Sequence, residues 1–155
     1  MVNYYFGSKQ GLFAEVMHLA LTPSTVVGRV LAGPAASPEK LAERLIRTLL
    51  AVWENPAARE PLMSMLEHSI GDEAIKATVA EFLGKELSGQ ITEYIGGPDA
   101  SVRAAGVISV LSGIIFARYV MRIAPIADIT PQQLLHATVP MVALHLRRGA
   151  TLNSR

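Results

Sequence analysis

Val2-Asn3-Tyr4-Tyr5-Phe6-Gly7-Ser8-Lys9-Gln10-Gly11-Leu12-Phe13 is the stretch on which the reading of this chain turns. Its second half opens a helix. The Ser8 side-chain oxygen can accept from the free backbone donors of a first helical turn, and Gly7 suits the turn just before it. Leu12, Phe13, Val16, Met17 and Ala20 then recur at helical spacing on one face, with Lys9, Glu15 and His18 mostly elsewhere. The first half, closing on Tyr4-Tyr5-Phe6, reads as the end of a preceding helix. The stretch is a junction between two helices.

The same signals recur downstream. Pro23 stops or bends the first helix, and a short continuation runs through Val26, Val27, Val30 and Leu31. Ser37-Pro38 is an N-cap followed by proline at the first helical position, which predicts a helix to about Glu54 with Leu41, Leu45, Ile46, Leu49, Val52 and Trp53 inward. Asn55-Pro56 starts another, ending near Gly71. Asp72 caps a longer one to about Ile95, with Ile75, Val79, Phe82, Leu83, Leu87, Ile91 and Ile95 as its inner face. Gly96-Gly97-Pro98 ends it. Asp99 to about Ile123 carries no charge between Arg103 and Arg118, so burial around most of its circumference is expected. Thr130-Pro131 begins the last helix, which ends near Arg148-Gly149 and contains Pro140, a residue that bends helices. No strand pattern or internal repeat is visible. The expectation is an all-α bundle of about seven helices.

Composition narrows the function. At 155 residues, half of them apolar, the chain can bury a sizeable core. The absence of cysteine excludes disulfides, thiolate metal sites and a cysteine nucleophile, and fits a cytoplasmic setting. A formal net charge of +1 is small for a complete nucleic-acid-binding domain. The stretches Ala104 to Ala117 and Ile129 to Leu146 are free of Asp, Glu, Lys and Arg. The first falls short of the roughly 20 residues a membrane span needs, and two prolines and two histidines interrupt the second. No membrane partner is expected. The histidines lack metal-ligand spacing, no phosphate loop or nucleophile elbow is present, and neither enzyme chemistry nor a cofactor is indicated.

The opening stretch closely resembles a segment of the TetR/AcrR family of bacterial transcriptional regulators: two aromatics and Phe, a small residue, Ser-Lys, then Leu-Phe. In that family the segment joins the recognition helix of a helix-turn-helix to the effector-binding body. Ala117-Arg118-Tyr119-Val120-Met121-Arg122 followed by Ile129-Thr130-Pro131 also looks like actinobacterial-type members. The resemblance implies DNA contacts for Tyr4 and Tyr5, with Asn3 beside them, and a phosphate contact for Lys9. It divides the chain into a recognition-helix remnant at 1–7, a ligand-binding and dimerisation domain at 8–148 and a tail at 149–155. It also implies that the sequence starts inside the third helix of a three-helix DNA head. Specific DNA binding is therefore expected only of a full-length form, because a recognition helix needs its partner helix to hold it in the groove.

Two functions remain on the sequence alone. The first is a ligand-responsive regulator, a repressor, of which this chain is the effector-binding and dimerisation body. The alternative is a headless helical dimer that binds an apolar small molecule or a full-length paralogue. Trp53, Met63, Met65, His68, Phe82, Phe116 and Tyr119 are the candidates to line a cavity for a small apolar or acidic effector, against ordinary core packing. Arg118 interrupts an apolar helix. It either snorkels to the edge or pairs with Glu67 or another carboxylate, or meets an acidic ligand, and the structural role is preferred. Gly106, Ser109 and Gly113, with Val142 and Leu146, are the candidate homodimer face.

Overall fold

The computed structural model describes residues 22–148, all helices and loops. Asn3, Tyr4, Tyr5 and Lys9, the helix from Ser8 to about Leu21 and the tail at 149–155 lie outside the described residues. Six helices follow in order: α1 (Thr22–Ala32), α2 (Pro38–Glu54), α3 (Pro56–Gly71), α4 (73–95), α5 (Ala100–Val120) and α6 (Pro131–Leu146). Pro23 falls in the first turn of α1, where its missing N–H leaves no bond unmade.

The start signals are used as the residues dictate. Ser37 accepts from the Lys40 N–H at 3.2 Å, and Asn55 from the Ala57 N–H at 3.1 Å. Asp72 Oδ1 accepts from Ala74 and Ile75 N–H groups at 2.9 and 3.2 Å. Thr130 and Gln133 form a reciprocal capping box, at 3.2 Å from the Gln133 N–H and 2.9 Å from the Thr130 N–H. Gly96 and Gly97 take φ of 66° and 91°, a conformation glycine adopts without strain, and so end α4.

The core is one cluster in which α2 packs along α6, α6 along α5, and the second half of α4 along α5. Leu41, Leu45, Ile46 and Trp53 are buried as expected, while Leu49 and Val52 are only partly so. Arg103 is 1% exposed and donates to the Arg147 carbonyl, bringing a cation to the C-terminal end of α6.

Two helices contain a wide turn that periodicity did not anticipate. In α4 the residues Leu83–Ser88 are π-helical, between α-helical Glu73–Phe82 and Gly89–Ile95. Ile75, Val79, Leu83, Leu87, Ile91 and Ile95 are spaced strictly by four. In a straight helix of 3.6 residues per turn, such a row drifts by about 40° per step. A π turn, bonded i to i+5, takes in extra chain and returns the row to one side. Ile75, Val79, Ile91 and Ile95 are accordingly all buried. In α5, Ile115–Val120 is π-helical, and the helix ends with Arg122 at φ 53° and the Ile123 N–H returning to the Ala117 carbonyl at 2.8 Å.

Within this one chain α5 is buried on one side only. Ala104 and Val107 are buried, but Ala105, Ser109, Ser112 and Gly113 are exposed, as are Val102 at 63% and Phe116 at 55%. At 21 residues, α5 is long and apolar enough by length and composition to cross a membrane. Its two arginines, however, are turned into protein contacts, and its outward face is mainly Ala, Ser and Gly.

Candidate functional site

A cavity of about 340 Å³ lies between α2, α3, α4 and α5, with Val27 of α1 at its edge. Leu49, Val52 and Trp53 form its α2 wall, Met65 and Leu66 its α3 wall, and Val79, Leu87 and Ile91 its α4 wall. Ile108, Leu111, Ile115, Phe116 and Val120 supply α5. The half-burial of Leu49 and Val52 is thereby explained: they face this space rather than a neighbouring side chain. Both wide turns contribute wall residues, Leu87 from α4 and Ile115, Phe116 and Val120 from α5. Among the described residues no charged side chain lines the cavity, and the side-chain polar atoms besides the Trp53 ring nitrogen are the hydroxyls of Thr48 and Ser112 and the Met65 thioether.

Of the residues expected to form a pocket, Trp53, Met65 and Phe116 line this cavity. Met63 does not; it is partly buried against the core. His68 is turned to solvent, its Nδ1 2.7 Å from the Ser64 carbonyl, and takes no part in the cavity. The side chain of Phe82 lies outside the described residues.

Arg118 and Tyr119 belong to a second, polar compartment of similar size, lined by Glu54, Arg59, Arg118, Tyr119, Arg122, Ala127 and Asp128. The carboxylate that pairs with Arg118 is Glu54, at 3.5 Å, rather than Glu67. Arg118 Nη1 also donates to the carbonyls of Ile126 and Ile129, both at 2.8 Å, and its side chain is only 9% exposed. It is the pin of the loop between α5 and α6. Tyr119 donates to Glu54 at 2.8 Å and stacks on Trp53 with ring centroids 5.5 Å apart and planes 24° from parallel. That stack is the partition between the apolar and polar compartments, since Trp53 faces one and Tyr119 the other.

Burial first, then the hydrogen bond to Glu54 and its charge, push the Tyr119 phenol from 10.0 up to about 12, with Arg118 pulling the other way. A folded value above the unfolded one means that the stabilisation is complete below about pH 10 and is lost as pH rises through about 12. Tyr119→Phe removes this titration. Urea midpoints measured from pH 9 upward should fall more steeply in the parent chain than in Tyr119→Phe.

The residues proposed for a dimer face separate into two groups. Val142 and Leu146 are 0% and 1% exposed and belong to the chain's own core, so as folded here they face inward. Gly106 also faces inward: a Cβ there would stand 2.7 Å from the His145 ring, so the missing side chain lets α5 approach α6. Ser109 and Gly113 do face out. Val102, Ala105, Ser112 and Phe116 extend their stripe on α5, and Ala137, Pro140, Met141 and Leu144 form a matching exposed stripe on α6. Among the described residues no group of three His, Asp or Glu stands ready for a metal ion.

Residues 39–146, covering five of the six helices, match the family described as tetracyclin repressor-like, C-terminal domain. This chain belongs to that family. The TetR-type body places it among transcription regulators rather than enzymes. A solved structure of a TetR-family regulator from Streptomyces coelicolor A3 superimposes with a TM-score of 0.63 over 94% of this chain and 74% of that one. Identity between the two is 22%, so the likeness is one of fold. No curated protein matches the sequence.

Proposed function

We propose that this TetR-type chain supplies the effector-binding and dimerisation body of a ligand-responsive transcriptional repressor that binds DNA as a cytoplasmic homodimer, with no membrane involved. The apolar cavity carries this reading. At about 340 Å³ it lies within the size range of small-molecule sites. It is also bounded by four packed helices and touched by α1, the described helix nearest the Ser8-to-Leu21 segment that would lead to a head.

A ligand in the cavity bears on Val27 and so on α1. It would shift a two-state equilibrium only by as much as it prefers one placement of α1 over the other. In a dimer that shift changes the spacing of the two heads, which decides whether both reach their half-sites. The exposed stripes of α5 and α6 are the surfaces that would pair. Ser112 and Phe116 belong both to the α5 stripe and to the cavity lining, so the partner would also cover the cavity mouth.

The test is ligand-linked stability with 1-octanol as an apolar probe. Saturation at about 100 times Kd adds about 2.7 kcal/mol, so the melting temperature should rise by several degrees. Leu111→Trp, which puts bulk into the cavity, should abolish the rise. A parent chain whose melting temperature responds neither to this probe nor to its carboxylate counterpart, octanoate, overturns the cavity as an effector site.

A further inference from the structure

Among the described residues, nothing lining the apolar cavity can pair with a charge. Apart from the Trp53 ring nitrogen and the Met65 thioether, the side-chain polar groups lining it are two hydroxyls, and Thr48 already donates to the Arg44 carbonyl at 2.8 Å. An ionised group held there would lose its hydration and gain no partner. Across the Trp53–Tyr119 stack the surroundings reverse. The polar compartment holds three guanidinium groups and two carboxylates. Arg118 is committed to two carbonyls and Glu54, and Glu54 to Arg118 and Tyr119. Arg59 and Arg122 remain. Among the described residues neither side chain makes a hydrogen bond or ion pair, and the remaining carboxylate of the compartment is Asp128. With Arg118 offset by Glu54, the described residues of the compartment carry one net positive charge, which favours an anion there.

We propose that the effector is a small apolar carboxylic acid, its carboxylate between Arg59 and Arg122 and its hydrocarbon part in the cavity beyond Trp53 and Tyr119. The proposal rests on the cavity being the effector site and adds the charge and placement of the ligand. A carboxylate suits the position because a guanidinium can meet its two oxygens with paired donors. The compartments are one residue apart on each helix: Trp53 and Glu54 are neighbours on α2, and Val120 and Tyr119 on α5. A ligand seated in both must part the stacked rings. The cavity's 340 Å³ is more than twice the roughly 150 Å³ of an engineered cavity that accepts benzene, so a tail of about eight carbons fits within it.

The chain has one tryptophan, and it stands in the partition. Its fluorescence therefore reports binding without a label. Titrations with sodium octanoate and with 1-octanol separate head from tail. By transfer from water alone the neutral alcohol should bind better, so octanoate binding at least tenfold tighter is the result expected. In the double variant Arg59→Gln/Arg122→Gln, octanoate should weaken tenfold or more, with octanol unchanged. Octanol binding as tightly as octanoate to the parent chain overturns the acid proposal and leaves the cavity reading standing. A preference for octanoate that survives in the double variant overturns the placement of the carboxylate. If neither compound changes the fluorescence or the melting temperature, both readings fall.

Discussion

Arg118→Ala is expected to lower the unfolding free energy by about 3 kcal/mol, the scale for removing one partner from a nearly buried, charge-assisted network. The Ile126 and Ile129 carbonyls lose the Arg118 donor, and Glu54 loses its cation while keeping the Tyr119 hydroxyl. Water can reach Glu54, whose side chain is 49% exposed, so most of the loss comes from the two carbonyls. For a chain of this length, 3 kcal/mol corresponds to roughly 6–12 °C in melting temperature. Arg118→Lys keeps the charge but not the planar fork, and should recover only part of the loss. The loop after α5 carries Arg122 and Asp128, so loosening it also dissolves the polar compartment. Thermal melts followed by circular dichroism decide the matter. A melting temperature within 2 °C of the parent chain (on the order of the smallest resolvable change) would mean that the loop is held by something else.

The second large effect concerns assembly. Met141→Glu/Leu144→Glu should convert the proposed homodimer to monomers. Met141 and Leu144 are each 52% exposed and make up the apolar centre of the α6 stripe. In a two-fold interface each substitution appears twice. The double variant would therefore bring four carboxylates into one desolvated patch, where like charges cost several kcal/mol. Dissociation should rise by at least about a hundredfold, or roughly 2.7 kcal/mol. Light scattering should report twice the 16.6 kDa chain mass for the parent and the chain mass itself for the variant. Because both positions face out, helicity and the melting of the monomer should change little. A parent chain that is monomeric at micromolar concentration removes the dimer from the proposal.

What could be read from the sequence was what depends on near neighbours. Ser37-Pro38, Asn55-Pro56 and Thr130-Pro131 start helices where they stand because a cap is satisfied within three residues. The inner row of α2 was legible because its other face is charged. On α5 and α6 that contrast is weak, since α6 carries no Asp, Glu, Lys or Arg and α5 none between Arg103 and Arg118. Val142 and Leu146 were therefore assigned to a partner although they fill the chain's own core, and the real outward stripe of Met141 and Leu144 was passed over. The tie from Arg118 to Glu54 spans 64 positions, and only the folded arrangement of α2 and α5 shows it. The wide turn in α4 did leave a trace. Six apolar residues at intervals of four do not fit a straight helix.

That turn at Leu83–Ser88 bears on how chains of this kind can differ in length. Adding or removing one residue in a straight helix rotates all that follows by about 100° and would turn Ile91 and Ile95 away from the core. A π turn is a place where one extra residue has been absorbed. Losing one there would leave an ordinary α turn, with both flanking rows still facing inward. The cavity wall at Leu87 would move, while the core on either side would stay in place. A gene encoding such a helix can thus reshape the binding space by a single codon without repacking the bundle.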